Sequence, residues 1–220
     1  MAERGRHFKL PMGLNFPRLY AILDPAQIPQ RPVVEVCDIL LAAGVRLIQY
    51  RNKNAPSRTV YEHCVELARR AQHGGARFIV NDRADIARAS GADGVHVGQD
   101  DLPVELARAV VGAGKWVGFS THNLEQVASA DKTSADYIAF GPIFATSSKE
   151  NPDPVVGIEG LRRARGITRK PLIAIGGITL EKVPEVLAAG ADSVAVISDI
   201  LKAPDIGLRA TEFLEIAAKQ

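Results

Sequence analysis

Along the chain two kinds of segment alternate. Short runs of Val, Ile, Leu and aromatic residues end in a Gly or polar cluster, and each is followed by a longer stretch of mixed charge with helix-like spacing. Eight such runs occur: residues 18–24 (RLYAILD), 46–51 (RLIQYR), 77–82 (RFIVND), 94–99 (GVHVGQ), 116–121 (WVGFST), 137–142 (YIAFGP), 172–177 (LIAIGG) and 193–198 (SVAVIS). Their nearly continuous apolar character predicts strands buried on both faces, as in a parallel sheet covered by helices. Several strands follow a small-residue corner, at 42–44 (AAG), 73–76 (HGGA), 90–93 (SGAD) and 188–192 (AAGAD), where Gly suits a helix end turning into a strand.

Eight strand-helix units in 220 residues predict an α/β fold, a single-domain (β/α)8 TIM barrel over residues 18–220, slightly below the usual size of about 250 residues. An open doubly wound sheet would normally carry a glycine-rich fingerprint after its first strand, and the segment from Tyr20 to Pro25 has none. Residues 1–17, with Pro11, Gly13 and Pro17, read as an N-terminal extension packing across the barrel's lower end.

Composition narrows the function classes. Lys plus Arg number 27 against 25 Asp plus Glu, a formal charge of +2, which provides no strong field for nucleic acid or a membrane surface. No window reaches the roughly 18 unbroken apolar residues of a membrane span, and the first residues lack the apolar region of an export signal. Only Cys37 and Cys64 are present, too few for a disulfide framework, so a reducing cytoplasm is the expected location.

In such a barrel the C-terminal strand ends and the loops after them form the active-site face. Gln49, Arg51 and Lys53 are spaced by two residues, which predicts one amide and two cations aimed into the barrel mouth. Arg51 and Lys53 read equally well as a solvated loop. Asn81 and Asp82 close the third run, and Gln99, Asp100 and Asp101 follow the fourth, so carboxylates from adjacent strands can meet at the rim. Two carboxylates flanked by cations suit Mg²⁺ held through few protein ligands, with water and a substrate phosphate completing its shell. Asp82 could instead pair with Arg83 or cap the next helix, and Asp101 could cap a helix starting near Pro103.

The sixth loop carries A-T-S-S-K around Lys149, fit either to close over an anion or to be a mobile surface loop. Gly176-Gly177 and Ile197-Ser198 end the seventh and eighth runs, the usual phosphate site of barrels, although a Gly-Gly pair also serves a tight turn. A backbone cradle for a phosphate monoester and a cationic cluster for a pyrophosphate imply two phosphorylated small-molecule substrates.

These residues resemble the thiamine-phosphate synthase (thiamine-phosphate pyrophosphorylase) family from about Leu19 to Phe213. The resemblance is carried by I-Q-Y-R-N-K (48–53), V-N-D-R-A-D-I-A (80–87), A-D-G-V-H-V-G-Q-D-D (92–101), G-F-S-T-H (118–122), G-P-I-F-A-T-S-S-K (141–149), A-I-G-G-I (174–178) and V-I-S (196–198). It implies a Mg²⁺-dependent transferase that joins hydroxymethylpyrimidine diphosphate to hydroxyethylthiazole phosphate, or its carboxylated form, with release of pyrophosphate. It further implies that Gln49, Arg51, Lys53, Asn81, Ser120 and Lys149 hold the pyrimidine diphosphate. Mg²⁺ falls to Asp82 and Asp101, and the thiazole phosphate to Thr146, Gly177, Ile197 and Ser198. Arg51, Lys53, Ser120 and Lys149 are the residues closest to the chemistry. Tyr50, Leu23, Ala145 and Ser148 depart from the family pattern.

Two rivals remain on the same fold: a thiazole tautomerase, for which His122 would be the proton shuttle, and a non-catalytic thiamine-phosphate or phosphosugar-binding barrel. His122 reads equally as a hydrogen-bonded strand-end histidine, and His96 as a structural one. Retention of Arg51, Lys53, Asp82, Asp101 and Lys149 favours the synthase. Whether the chain forms a homo-oligomer is left open by the sequence.

Overall fold

Each of the eight apolar runs contains a strand in the computed structural model, which describes residues 16–146 and 153–219. They are β1 (Leu19–Leu23), β2 (Leu47–Tyr50), β3 (Arg77–Asn81), β4 (Gly94–Val97), β5 (Trp116–Thr121), β6 (Tyr137–Phe140), β7 (Leu172–Ala174) and β8 (Ser193–Val196). Neighbours pair in parallel, and β8 returns to β1 to close the barrel. Apart from β5, the strands stop short of the polar ends of their runs. Those end residues leave the ladder and turn over the upper mouth.

Helices α1 (Val33–Ala42), α2 (Ser57–His73), α3 (Ala84–Ala89), α4 (Val104–Val111), α5 (Leu124–Asp131), α6 (Gly157–Ile167), α7 (Val183–Ala188), α8 (Ser198–Leu201) and α9 (Ile206–Ala218) follow the strands. The larger apolar core lies between sheet and helices and includes Leu40, Leu67 and Phe213, while a smaller one fills the barrel lumen with Tyr20, Leu47, Ile79, Tyr137 and Ile173. Among the described residues no helix is long and apolar enough to cross a membrane.

The small-residue corners are helix C-caps. After α1 the chain turns at Gly44 with φ of 98°, while the Val45 and Gly44 amides donate to Leu40 and Leu41 carbonyls at 3.0 Å each. This paired closure uses a left-handed residue that glycine adopts without penalty. The lower rim carries a second repeat. Asp93, Asp136 and Asp192 stand immediately before β4, β6 and β8, and their carboxylates accept the backbone N–H groups of Phe78, Val117 and Leu172 at 2.9, 2.7 and 2.7 Å. Each of these aspartates also pairs with an arginine, Arg77, Arg108 or Arg165 respectively. Neighbouring strands are thereby stapled where the ladder begins.

The lumen is closed from below by Phe16, which stacks on Trp116 at 5.3 Å and tilts against Tyr137 at 5.4 Å. Room for the inward Tyr137 ring comes from Gly118, where a Cβ would meet Tyr137 Cζ at 2.1 Å.

Candidate active site

The upper mouth opens into a cleft continuous with solvent. Gln49, Arg51, Asn81 and Ser120 line it from the β2, β3 and β5 ends, and Thr146, Gly177, Ile197 and Ser198 line it from the β6, β7 and β8 ends. Its floor is the top of the lumen, with Tyr20, Ile22, His96 and Ala139. Lys53, Asp82 and Asp101 do not line the cleft and sit beside it. Lys149 lies outside the described residues, as does much of the loop after β6.

Arg51 lies one residue past the end of β2, so strand alternation accounts for Gln49 but not for the loop residues Arg51 and Lys53. Arg51 is anchored by a partner not anticipated from sequence, the buried Asp24 at the end of β1, through an ion pair. The Arg51 amide donates to the Leu23 carbonyl at 3.0 Å, which fixes the register that brings the two together. Asp24 also accepts the Ala26 N–H at 3.0 Å, so a strand-end acid followed by proline was its only signal.

Asp82 has φ of 61°, a left-handed conformation uncommon for residues other than Gly, Asn and Asp. Its Oδ2 lies 3.0 Å from Lys53 Nζ, and neither alternative partner holds: Arg83 pairs with Asp85, and α3 has no side-chain cap. Burial pushes the Asp82 carboxyl above its usual range; a hydrogen bond from Lys53 opposes this, and the hydrogen-bonded Asp101 carboxyl adds to it. Asp101 is not the cap of α4, which begins with Pro103 as its N-cap; instead Asp101 Oδ2 accepts the Gly98 N–H at 2.7 Å. The two carboxylates therefore meet at the rim. Among the described residues no cluster of three or more His, Cys, Asp or Glu is placed to hold a metal. A pair of acids with one lysine suits a hard cation completed by water and phosphate oxygens, the mode typical of Mg²⁺.

Gly176 and Gly177 take φ of 90° and 64°. A Cβ at Gly176 would lie 2.5 Å from Pro142, and one at Gly177 would lie 2.3 Å from the Ala145 carbonyl oxygen, so packing of the loop after β6 already requires both glycines. The same pair brings its backbone to the cleft wall opposite Arg51. His122 Nδ1 donates to the Gly141 carbonyl at 2.6 Å, and its Nε2 faces Asp153 Oδ2 at 3.4 Å, so both ring nitrogens are engaged at the loop's two ends. Thiol chemistry finds no place here, since burial pushes Cys37 and Cys64 up to about 12.

A sequence model of thiamine monophosphate synthases matches residues 19–200, which spans all eight strands. The chain belongs to the thiamine-phosphate synthase family. The thiamine-phosphate synthase of Koribacter versatilis is 53% identical over 208 residues, covering 93% of this chain and 97% of that protein. Thiamine-phosphate synthase 1 of Aquifex aeolicus is 42% identical over 188 residues, covering 86% and 87%. Among solved structures, the thiamine phosphate pyrophosphorylase of Pyrococcus furiosus superposes with a TM-score of 0.84 at 36% identity, covering 93% of this chain and 97% of that one. The activity is that of a synthase, a group-transferring enzyme, and the barrel foreseen from the strand pattern is the fold of the family.

Proposed function

We propose that the cleft divides its two substrates between its walls, the pyrimidine diphosphate on the β2 to β5 side and the thiazole phosphate on the β6 to β8 side. The observation that carries this reading is the placement of Arg51, Asn81 and Ser120 across one cleft from Gly177, Ile197 and Ser198. Arg51, held in orientation by Asp24, presents its charge to the diphosphate. Asp82 and Asp101 would hold Mg²⁺, which when bound neutralises charge on the diphosphate oxygens.

The bond between the pyrimidine methylene carbon and the diphosphate oxygen breaks with its electron pair leaving on pyrophosphate. Arg51 and Lys53 stabilise that departing charge, and Lys149 in the sixth loop joins them. The thiazole nitrogen then gives its lone pair to the methylene carbon. No proton changes hands in this exchange, so the Ser120 and His96 pair at the cleft floor is not called on to act as nucleophile and base. His122, with Nδ1 committed to a backbone carbonyl, serves as a tie between β5 and the sixth loop rather than as a shuttle.

Formation of thiamine phosphate from the two substrates, with and without EDTA, tests the reading. Activity should vanish on chelation and return with added Mg²⁺; full turnover in excess EDTA would remove Mg²⁺ from Asp82 and Asp101. Ser198→Asp should raise the thiazole-phosphate KM about tenfold or more by repulsion of the monoester while leaving the pyrimidine KM within about twofold. An unchanged thiazole KM would overturn the division of the cleft.

A further inference from the structure

Beneath the cleft, five polar side chains from five strands form one continuous chain. Gln49 Nε2 donates to Tyr20 Oη at 2.7 Å, Tyr20 Oη lies 2.9 Å from Tyr137 Oη, Tyr137 Oη lies 3.1 Å from His96 Nδ1, and His96 Nε2 lies 2.8 Å from Ser120 Oγ. The two tyrosines, Gln49 and His96 are buried in the lumen, where an unmatched hydroxyl hydrogen is costly.

Counting hydrogens gives the chain a direction. A phenol donates once, and a neutral imidazole has one donor and one acceptor nitrogen. Tyr20 accepts from Gln49, so its own hydrogen goes to Tyr137. Tyr137 then donates to His96 Nδ1, which places the imidazole hydrogen on Nε2 and directs it to Ser120 Oγ. Were Tyr137 to donate to Tyr20 instead, Tyr20 would accept twice and its hydrogen would find no acceptor among the described residues.

We propose that Tyr20, Tyr137 and His96 are positioning residues that lock the polarity of the two cleft groups at the ends of their chain. Gln49 is held with Nε2 turned inward, leaving Oε1 and its second Nε2 hydrogen for a ligand, and Ser120 is left with a hydroxyl hydrogen to give. A Gln amide in one fixed orientation matches an aminopyrimidine edge, in which an amine donor stands beside a ring-nitrogen acceptor. The 4-oxo counterpart presents the reverse order and would require the amide to turn, breaking the chain at Tyr20. Selection of amino over oxo pyrimidines thus originates in the floor of the cleft, in the direction of its hydrogen-bond chain. This rests on the assignment of the pyrimidine to the β2 to β5 wall.

Two measurements test it. In the ligand-free protein, ¹⁵N NMR of His96, assigned by its loss in His96→Asn, should show the Nε2–H tautomer; an Nδ1–H tautomer would overturn the proposal whatever ligand the cleft takes. Calorimetry with the 4-amino and 4-oxo forms of the pyrimidinylmethyl monophosphate should show the wild type favouring the amino form about a hundredfold. In Tyr137→Phe the Tyr20 hydroxyl is free to donate to Gln49 Oε1, and the preference should fall at least tenfold. The same preference in a Tyr137→Phe protein with native circular dichroism would overturn the proposal. Failure of the wild type to bind either pyrimidine would strike the substrate assignment instead, while the tautomer would still decide the chain's direction.

Discussion

At the lower rim, Asp93, Asp136 and Asp192 each hold a strand N–H and an arginine. At the upper rim, Asp82 and Asp101 face each other, with Lys53 as the cation on Asp82 and part of its charge left uncompensated. The residue types are the same, and the accounting differs. Below, every charge has a donor, so the acids stabilise the ladder; above, like charges are brought together, the arrangement on which the proposed cation site rests. A barrel that assigns stability to one end and chemistry to the other separates the two demands on its aspartates.

Asp82→Asn should break this contrast most visibly. Asn tolerates the left-handed backbone of position 82, so the loss is one of charge alone. Thiamine-phosphate formation should fall about a hundredfold or more. In the absence of metal the same variant should melt about 1 to 3 °C higher at pH 7. The sign follows from the raised carboxyl: the folded state disfavours its charged form, a penalty absent below the unfolded value of about 4 and present above it. The gain should therefore disappear in melts below that pH, and a lower melting temperature at pH 7 would contradict it.

Asp136→Ala should do the opposite. Val117 N–H and the Arg108 guanidinium lose their acceptor, a cost of about 2 kcal/mol that lowers the melting temperature by about 4 to 8 °C. The kcat of the folded fraction should stay within about twofold. A large loss of kcat with an unaltered melt would place this acid in the catalytic account. Asp192→Asn should be mildest, because the amide oxygen still accepts from Leu172 while only the charge facing Arg165 is lost. A decrease of about 1 to 3 °C in thermal melts is expected.

The strands were legible because buried parallel strands write themselves as apolar runs, and their corners because Gly44, Gly75, Gly91 and Gly190 occupy positive φ. The lower-rim staples were present in the sequence too, as Ala-Asp directly before three even-numbered strands. Gln49 was reachable by strand parity, and Asp82 by its rim position. The Asp24 to Arg51 pair was not, since it depends on how two strand-end loops fold toward each other. Nor was the chain through Tyr20, Tyr137 and His96, because side-chain period tells which residues face the lumen and not which meet across it. His96 reads from sequence as a structural histidine, and its bonds to Tyr137 and Ser120 are not foreseeable from that reading.

Trp116, the chain's one tryptophan, lies at the lower end against Phe16 and beneath the Arg77 guanidinium, 4.4 Å from its ring. The protein thus carries a built-in fluorophore at the end of the barrel remote from its chemistry. Its emission reports whether the base of the lumen is closed. Titration with pyrophosphate should leave that emission steady, whereas replacing Phe16 with alanine should shift it toward the red as water reaches the indole. Optical readouts of catalysis in this enzyme therefore need a second chromophore at the mouth, and the native one serves as an internal control for the integrity of the fold.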